Sequence, residues 1–96
     1  MDRKVIIKKL KQFKKDSQKK YRIKSLGIFG SVARGEINEK SDIDIVIEIS
    51  EPNLFLIVEL KEELEKQLHQ HVDIIRKRER MNPFLKKRIE RDAIYV

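Results

Sequence analysis

The sequence contains no cysteine and no tryptophan, only two prolines and three glycines, and no long apolar run. Without cysteine the chain can form neither a disulfide nor a thiolate metal site, and this composition suits a reducing compartment. No apolar stretch approaches the roughly 20 residues that a membrane-spanning helix needs. The first residues, Met1–Lys4, are not followed by the apolar core of a signal peptide. We therefore expect a cytoplasmic protein with no membrane association.

The chain length bounds the architecture. Its 96 residues are enough for one small domain, and we expect residues 1–96 to form that domain without an internal linker. Charged residues make up 41% of the chain and hydrophobic residues 40%, a balance that predicts a folded domain rather than a disordered one.

The net charge of +7 is distributed unevenly along the chain. Eleven of the 23 basic residues precede Ser25, and residues 76–91 contain eight basic and two acidic residues. Residues 35–73 contain eleven acidic and three basic residues. Clustered lysine and arginine suit the phosphates of a nucleic acid, but no aromatic residues that would stack on bases are interleaved with the lysines. Direct nucleic-acid binding is therefore the less favoured interpretation, and a solvated lysine-rich face the favoured one.

A phosphate-binding turn is predicted at the end of the first strand. The apolar segment Ile23–Phe29 has high β-propensity and stops at Gly30, and Ser31, a favoured helix N-cap, precedes the short helical segment Val32–Arg34. A glycine at a helix N-terminus lets the backbone approach an anion, and the free N–H groups and helix dipole favour phosphate. An ordinary capped turn has the same sequence features, so this motif does not decide alone.

The next strand, predicted over Asp42–Ile49, carries two acidic residues on one face. Its isoleucines occupy every second position and so share the opposite face. These residues are Ile43, Ile45, Ile47 and Ile49. The carboxylates of Asp42 and Asp44 repel each other, and in a half-buried position this costs stability unless a cation lies between them. Carboxylate oxygens suit Mg²⁺, which completes its shell with water and substrate phosphates. The alternative is a solvated turn formed by Ser41 and Asp42.

A third acidic residue, Asp73, lies in the short apolar segment His71–Ile75, where an unpaired carboxylate is costly to bury. If this segment is a strand beside the Asp42/Asp44 strand, the three carboxylates match a two-metal phosphoryl-transfer site, with ions about 3.5–4 Å apart. His69 and His71 flank the entry to this predicted strand, but no further nitrogen or sulfur ligand lies near them in sequence. We interpret both histidines as exposed loop residues.

Three motifs in this order resemble those of the minimal nucleotidyltransferase family, part of the DNA polymerase β-like superfamily. They are Gly30-Ser31-x-Ala33-Arg34-Gly35-Glu36, then Ser41-Asp42-x-Asp44, then the isolated Asp73. The resemblance extends over nearly the whole chain, to Arg91–Val96. It implies that Gly30 and Ser31 hold a nucleotide triphosphate and that Asp42 and Asp44 bind Mg²⁺. It also implies that Asp73 completes the site, orienting or deprotonating an acceptor hydroxyl.

The same resemblance implies a reaction and a partner. The reaction is transfer of AMP from ATP, with two Mg²⁺ ions, to an acceptor hydroxyl and release of pyrophosphate. Minimal members of the family pair as antitoxins with a HEPN-domain ribonuclease toxin, and the implied acceptor is a hydroxyl of that toxin, notably a tyrosine. The alternative is a non-catalytic antitoxin that neutralises its partner by masking it.

Arg34 lies within the predicted phosphate-binding turn and has two interpretations. It either contacts the nucleotide phosphates or forms a salt bridge with Glu36 or Glu39. The residues do not favour one over the other.

The expected architecture is an α/β fold with a mixed sheet of three to four strands and helices mainly on one face. We expect the strands at Ile23–Phe29, Asp42–Ile49 and Val72–Ile75. A helix predicted from Met1 to about Lys20 buries Ile6, Leu10, Phe13 and Ser17. A second helix, over Asn53–Leu68, buries Ile57, Leu60, Leu64 and Leu68 and provides the crossover to the third strand.

The C-terminal region contains one more predicted helix. Asn82 caps it, Pro83 occupies its first position, and Phe84, Leu85 and Ile89 form its apolar side. The tail, Ala93–Val96, is either an edge strand or an apolar contact for a partner. Exposure of Ile94 and Tyr95 would favour association, with a second copy or with another protein.

Overall fold

We describe the fold from a computed structural model, which places residues 2–36, 42–51 and 53–96. In these ranges the chain forms four helices and four strands in an alternating α/β order. The elements are α1 (Arg3–Tyr21), β1 (Ile23–Phe29), α2 (Gly30–Ala33), β2 (Ile43–Ile49), α3 (Leu54–Leu68), β3 (Val72–Arg76), α4 (Pro83–Asp92) and β4 (Ile94–Tyr95). Ser41 and Glu39, named in the sequence analysis, lie outside the described residues.

The strands form one mixed sheet in the order β3-β2-β1-β4. β1 pairs antiparallel with both β2 and β4, whereas β2 and β3 are parallel. A parallel pair needs a crossover between its strands, and α3 provides it. The predicted mixed sheet and the predicted crossover are both confirmed.

The main core lies on the face of the sheet that α1 and α3 cover. The alternation predicted for β2 is confirmed, because its four isoleucines, from Ile43 to Ile49, all belong to this core. The buried helix residues are Ile6, Leu10, Phe13 and Tyr21 of α1 and Leu60, Leu64 and Leu68 of α3. Each fully buried Leu, Ile or Phe side chain stabilises the fold by roughly 1.5–3 kcal/mol. The buried face of α1 ends at Tyr21. Ser17, which the sequence placed on this face, is only partly buried.

Helix α4 covers the opposite face of the sheet. Ile89 is buried there against Phe29 and Val46. Asn82 caps the helix as predicted, since its side-chain oxygen accepts hydrogen bonds from the N–H groups of Phe84 and Leu85, at 2.9 and 3.3 Å. The prediction that Phe84 packs on the apolar side of this helix is wrong. Phe84 is 79% exposed, because Leu85 and Ile89, four residues apart, share the face that packs on the sheet and Phe84 lies outside that face.

The C-terminal tail forms the edge strand β4, which decides between the two interpretations of this segment. Gly27 and Ile28 of β1 pair with Tyr95 and Ile94. A Cβ on Gly27 would lie 2.7 Å from the carbonyl oxygen of Ile94, so the close approach of the two backbones requires glycine here. Ile94 is partly buried and Tyr95 is 44% exposed.

The predicted loop positions of the two histidines are confirmed. His69 ends α3 in the left-handed conformation, with φ of 54°, and both His69 and His71 are exposed. The His71 ring nitrogen lies 3.2 Å from the Glu65 carboxylate.

In the described part of the chain, every helix is too short or too polar to cross a membrane.

Candidate active site

Acidic residues collect at the edge of the sheet where β1 ends and β2 and β3 begin. Phe29, the last residue of β1, is the register partner of Asp44, and Asp44 is the register partner of Asp73. Directly opposite residues of paired strands project to the same face. The structure therefore brings Asp44 and Asp73 side by side on the face that α4 covers. Asp42 lies one residue before β2 and, by strand alternation, points toward the same side.

The three carboxylates differ in exposure. Asp44 is partly buried, whereas Asp42 and Asp73 are exposed. The expectation that Asp73 is costly because it lies between buried residues is wrong. Val72 is buried and Ile74 partly so, but β3 is an edge strand and the Asp73 side chain reaches solvent.

Gly30 and Asp44 are in direct contact. Gly30 has a φ of +72°, in the left-handed region that favours glycine. A Cβ at this position would overlap the Asp44 carboxylate oxygen Oδ2. Glycine is thus required twice, by the backbone conformation and by the acid packed against it.

The helix after β1 begins two residues earlier than the sequence predicts. Helix α2 starts at Gly30 itself, with Phe29 as its N-cap and no side-chain capping bond. The N-cap prediction for Ser31 is therefore wrong, since the positive φ of Gly30 takes the strand directly into the helix and leaves Ser31 in its first turn. First-turn N–H groups have no partner within a helix, and a phosphate site at this turn stays a prediction.

Arg34 forms salt bridges, one of them with a partner that the sequence did not indicate. Its Nη2 lies 3.3 Å from Glu36, as one interpretation expected, and its Nη1 lies 2.7 Å from Oδ2 of Asp92 in α4. The Asp92 side chain is only 5% exposed and also binds Arg91. The guanidinium of Arg91, and to a smaller extent that of Arg34, holds the pKa of Asp92 below its usual value.

A second arginine fixes the same segment from the other side of the sheet. Nη1 of Arg3, in the first turn of α1, donates a hydrogen bond of 2.8 Å to the carbonyl oxygen of Ala33. Together with the Arg34–Asp92 pair, this bond ties the turn to both α1 and α4. Sequence reasoning missed both contacts, because each joins residues 30 or more positions apart.

The charge balance of the site favours a cation. Burial raises the pKa of Asp44, and the neighbouring Asp73 raises it further. Arg88 opposes this increase in pKa, while Asp42 adds to it and Arg34 opposes it more weakly. The net result is a partly buried carboxylate whose charged form is disfavoured in the metal-free fold.

The ligand set of the site fits Mg²⁺ in chemistry. Across the described ranges, no three acidic, histidine or cysteine side chains converge closely enough to enclose an ion by themselves. Mg²⁺ does not require such a cage, because it typically uses one or two carboxylates and completes its octahedron with water and phosphate oxygens. Asp44, with Asp42 or Asp73 beside it, supplies that number of oxygen ligands, and the two-ion arrangement stays a prediction.

Comparison with known proteins decides the family. A family model described as "Nucleotidyltransferase domain" matches residues 7–96. The chain belongs to this family. The nucleotidyltransferase fold and the assignment as a nucleotidyltransferase, both predicted from the sequence, are thus confirmed.

Two of the relatives are named as protein adenylyltransferases. "Putative protein adenylyltransferase MJ1379" of Methanocaldococcus jannaschii is 49% identical over 96 residues, a match that covers 97% of this chain and 93% of the relative. "Protein adenylyltransferase MntA" of Thermococcus cleftensis is 36% identical over 84 residues, covering 86% of this chain and 84% of the relative.

Solved structures resemble the whole fold. A structure described as a "putative minimal nucleotidyltransferase" has a TM-score of 0.80 and 32% identity, and the alignment covers 98% of this chain and 95% of the other. A tri-AMPylated Shewanella oneidensis HEPN toxin in complex with MNT antitoxin gives a TM-score of 0.70 at 18% identity. That alignment covers 97% of this chain and 70% of the other chain, and it bears on the fold alone.

Proposed function

We propose that the protein is a magnesium-dependent protein adenylyltransferase that transfers AMP from ATP to a hydroxyl of a HEPN-domain toxin and thereby acts as its antitoxin. The observation that carries this proposal is the row of Asp44 and Asp73 beside Gly30, with Asp42 at the start of the same strand. The names of the relatives and the fold shared with an MNT antitoxin support the protein acceptor and the toxin partner.

Each site residue has a role in this reaction. Asp42 and Asp44 would hold Mg²⁺, which when bound neutralises charge on the triphosphate. The backbone N–H groups of Ser31 and its neighbours in the first turn of α2 would bind phosphate oxygens. The partly buried Asp44 is positioned by its packing against Gly30, whereas the exposed Asp73 is accessible to an incoming acceptor.

The chemical step is a substitution at the α-phosphorus of ATP. The acceptor oxygen, on a tyrosine in this proposal, forms a bond to the α-phosphorus while the bond from that phosphorus to the α–β bridging oxygen breaks. AMP stays on the acceptor and pyrophosphate leaves. The hydroxyl proton passes to the Asp73 carboxylate or to water. Positioning and charge neutralisation supply most of the catalysis in phosphoryl transfers of this kind.

Intact-mass spectrometry of a HEPN-domain toxin tests the proposal. The toxin is incubated with this protein, ATP and Mg²⁺, and we expect its mass to rise by one or more AMP units. The increase should disappear in EDTA and with the Asp42→Asn/Asp44→Asn variant. Glu62→Gln, which removes an exposed carboxylate on α3, is the matched control and should retain transfer. Transfer that survives both aspartate changes would refute the assignment.

Masking is the second candidate function, and one observation favours it. Large apolar side chains at the start of α3 face solvent, with Leu54 73% and Phe55 85% exposed, and Val58 follows one turn later at 48%. Catalysis does not use these residues, and such a patch suits a protein contact. Under masking, the toxin mass stays unchanged while the double aspartate variant still forms a stoichiometric complex and still neutralises the toxin.

A further inference from the structure

Helix α4 brings a basic side chain to the acidic edge of the sheet. Ile89 is buried against Phe29 and Val46, which fixes the rotation of the helix over the sheet. The residue before it, Arg88, consequently lies with its guanidinium carbon 5.9 Å from the centre of the Phe29 ring. Phe29 is the register partner of Asp44, so Arg88 lies over the residue that neighbours the partly buried carboxylate.

The two arginines near the acids differ in their partners. Arg34 is bound by Asp92 and Glu36, and Asp92 holds it from a nearly buried position. In the portion of the chain that the structure describes, Arg88 forms no salt bridge and its side chain is exposed. Contact with an aromatic face orients a guanidinium while leaving its N–H donors available.

The electrostatic relation agrees with this geometry. Among the basic groups that act on Asp44, Arg88 lowers its pKa more than Arg34 does. A guanidinium near the acids, but not in a salt bridge with them, can bind an anion whose own cation binds to the acids. A triphosphate with bound Mg²⁺ is such an anion, and the planar fork of arginine matches two phosphate oxygens at once.

We propose that Arg88 is a nucleotide-binding residue that contacts the triphosphate of ATP at the Asp44–Asp73 edge, held in place by Phe29. This inference rests on the proposed function, because it assumes that the same edge binds a nucleotide. Arg34 then serves mainly to anchor the turn to α4, and Arg88 supplies the positive charge that the triphosphate meets.

The test measures affinity for a non-hydrolysable ATP analogue with Mg²⁺ by titration calorimetry, which needs no toxin. We expect Arg88→Gln to weaken binding by about 10- to 100-fold, the loss typical of a charge-assisted hydrogen-bonded contact. Arg88→Lys keeps the charge without the fork and should lose less. Lys87→Gln, the neighbouring charge on the solvent side of α4, should change affinity by less than about twofold.

The outcomes separate the two proposals. Arg88→Gln that binds the analogue as tightly as the unmodified protein, which itself transfers AMP, would overturn the inference and leave the proposed function intact. If the unmodified protein binds no analogue, both proposals fail. A purely structural role predicts that Arg88→Gln lowers the Tm and leaves the affinity unchanged. Arg88→Met keeps an apolar stem over Phe29, so a loss of affinity in this variant reports the missing charge and not the missing packing.

Discussion

At the scale of single residues, the contact between Gly30 and Asp44 joins the predicted phosphate-binding turn to the acidic cluster. The turn can bend sharply because Gly30 adopts a positive φ, and the absence of a Cβ leaves the space that the Asp44 carboxylate occupies. A single position therefore controls both the direction of the backbone and the position of Asp44, the most buried of the three site acids. Such double dependence on one residue makes it a sensitive site for mutation.

Gly30→Ala tests this dependence. We expect a loss of stability of about 1–3 kcal/mol, because alanine is strained at positive φ and its Cβ displaces the carboxylate. AMP transfer should fall by at least about 100-fold, since displacing an acid by 1 Å misplaces a bound ion. Chemical denaturation and mass spectrometry of the toxin measure the two effects.

Gly35→Ala is the matched control for that substitution. Gly35 also has a positive φ, of +83°, but the nearest atom to its added Cβ is Nη1 of Arg3 at 3.8 Å, which is ordinary contact. Both substitutions introduce backbone strain, whereas only the change at Gly30 displaces the Asp44 carboxylate. Equal losses of transfer in the two variants would contradict the role given to the Gly30–Asp44 contact.

Asp44 itself is expected to destabilise the metal-free protein. Its pKa is raised in the folded state by burial and by Asp73, so the folded protein binds more protons than the unfolded chain between the two pKa values. Stability consequently falls as the pH rises through that window, and the full penalty is present above it. Such electrostatic strain is typical of functional sites, and in the proposed function a bound cation relieves it.

Asp44→Asn should therefore raise the Tm of the protein in EDTA at about pH 7 while abolishing AMP transfer. The gain should vanish toward about pH 3, below the usual aspartate pKa, where the carboxyl is neutral in both states. Scanning calorimetry across this pH range measures it. Glu62→Gln removes an exposed charge instead and should show little change. A lower Tm for Asp44→Asn in EDTA would contradict the assigned electrostatic strain.

At the scale of elements, α4 acts as a support for the turn as well as a cover for the sheet. Its last residue, Asp92, binds Arg34 of the turn, and its buried Ile89 packs on Phe29 at the end of β1. The helix therefore contacts both sides of the segment that leads into the site. Loosening this contact should affect the turn more than the core.

Asp92→Asn is the substitution that loosens it. The pKa of Asp92 is lowered in the fold, so its carboxylate contributes stability above the unfolded pKa, and this contribution is lost as the pH falls through the lowered value. We expect the variant to have a lower Tm than the unmodified protein at about pH 7, with the two converging in strong acid. Hydrogen exchange should rise selectively in residues 31–36.

Glu90→Gln provides the comparison on the same helix, because Glu90 is exposed and its loss changes the net charge equally. It should leave exchange in the turn unchanged. Uniform exchange enhancement across the whole chain in Asp92→Asn would indicate global destabilisation and contradict a local support role.

The sequence predicted those elements whose signal is periodic. The bounds of β1 agree with the prediction, and the alternation of β2 gave its buried face because every second residue is isoleucine. The 3.6-residue spacing of leucines likewise predicted the buried side of α3.

Contacts between residues distant in sequence were not predictable in the same way. The Arg34–Asp92 pair and the position of Arg88 over Phe29 depend on where α4 crosses the sheet, and no local pattern encodes that crossing. The N-cap of α2 was misplaced for a related reason. Sequence preferences favour serine at a cap. Gly30 instead adopts a positive φ and packs against Asp44, a tertiary contact, and the helix starts at Gly30, before Ser31.

At the scale of the whole molecule, the uneven charge predicts two distinct modes of ATP binding. The protein carries a net charge of +7, with most basic residues near its two ends. Lysines on exposed faces attract any polyphosphate without a metal, and salt screens that attraction. The acidic edge repels a bare triphosphate and becomes favourable only when a cation accompanies it. Metal and salt therefore distinguish specific from nonspecific binding.

Thermal stability with MgATP makes this distinction measurable. A ligand at 100 times its Kd stabilises the fold by about 2.7 kcal/mol, and about 1 kcal/mol corresponds to 4–8 °C in a domain of this size. We thus expect saturating MgATP to raise Tm by roughly 10–20 °C. The shift should persist when the salt concentration is raised several-fold, and it should largely disappear in EDTA and in Asp44→Asn. A shift of equal size without Mg²⁺ that salt abolishes would place ATP on the basic ends instead, and the acidic edge would then not be the nucleotide site.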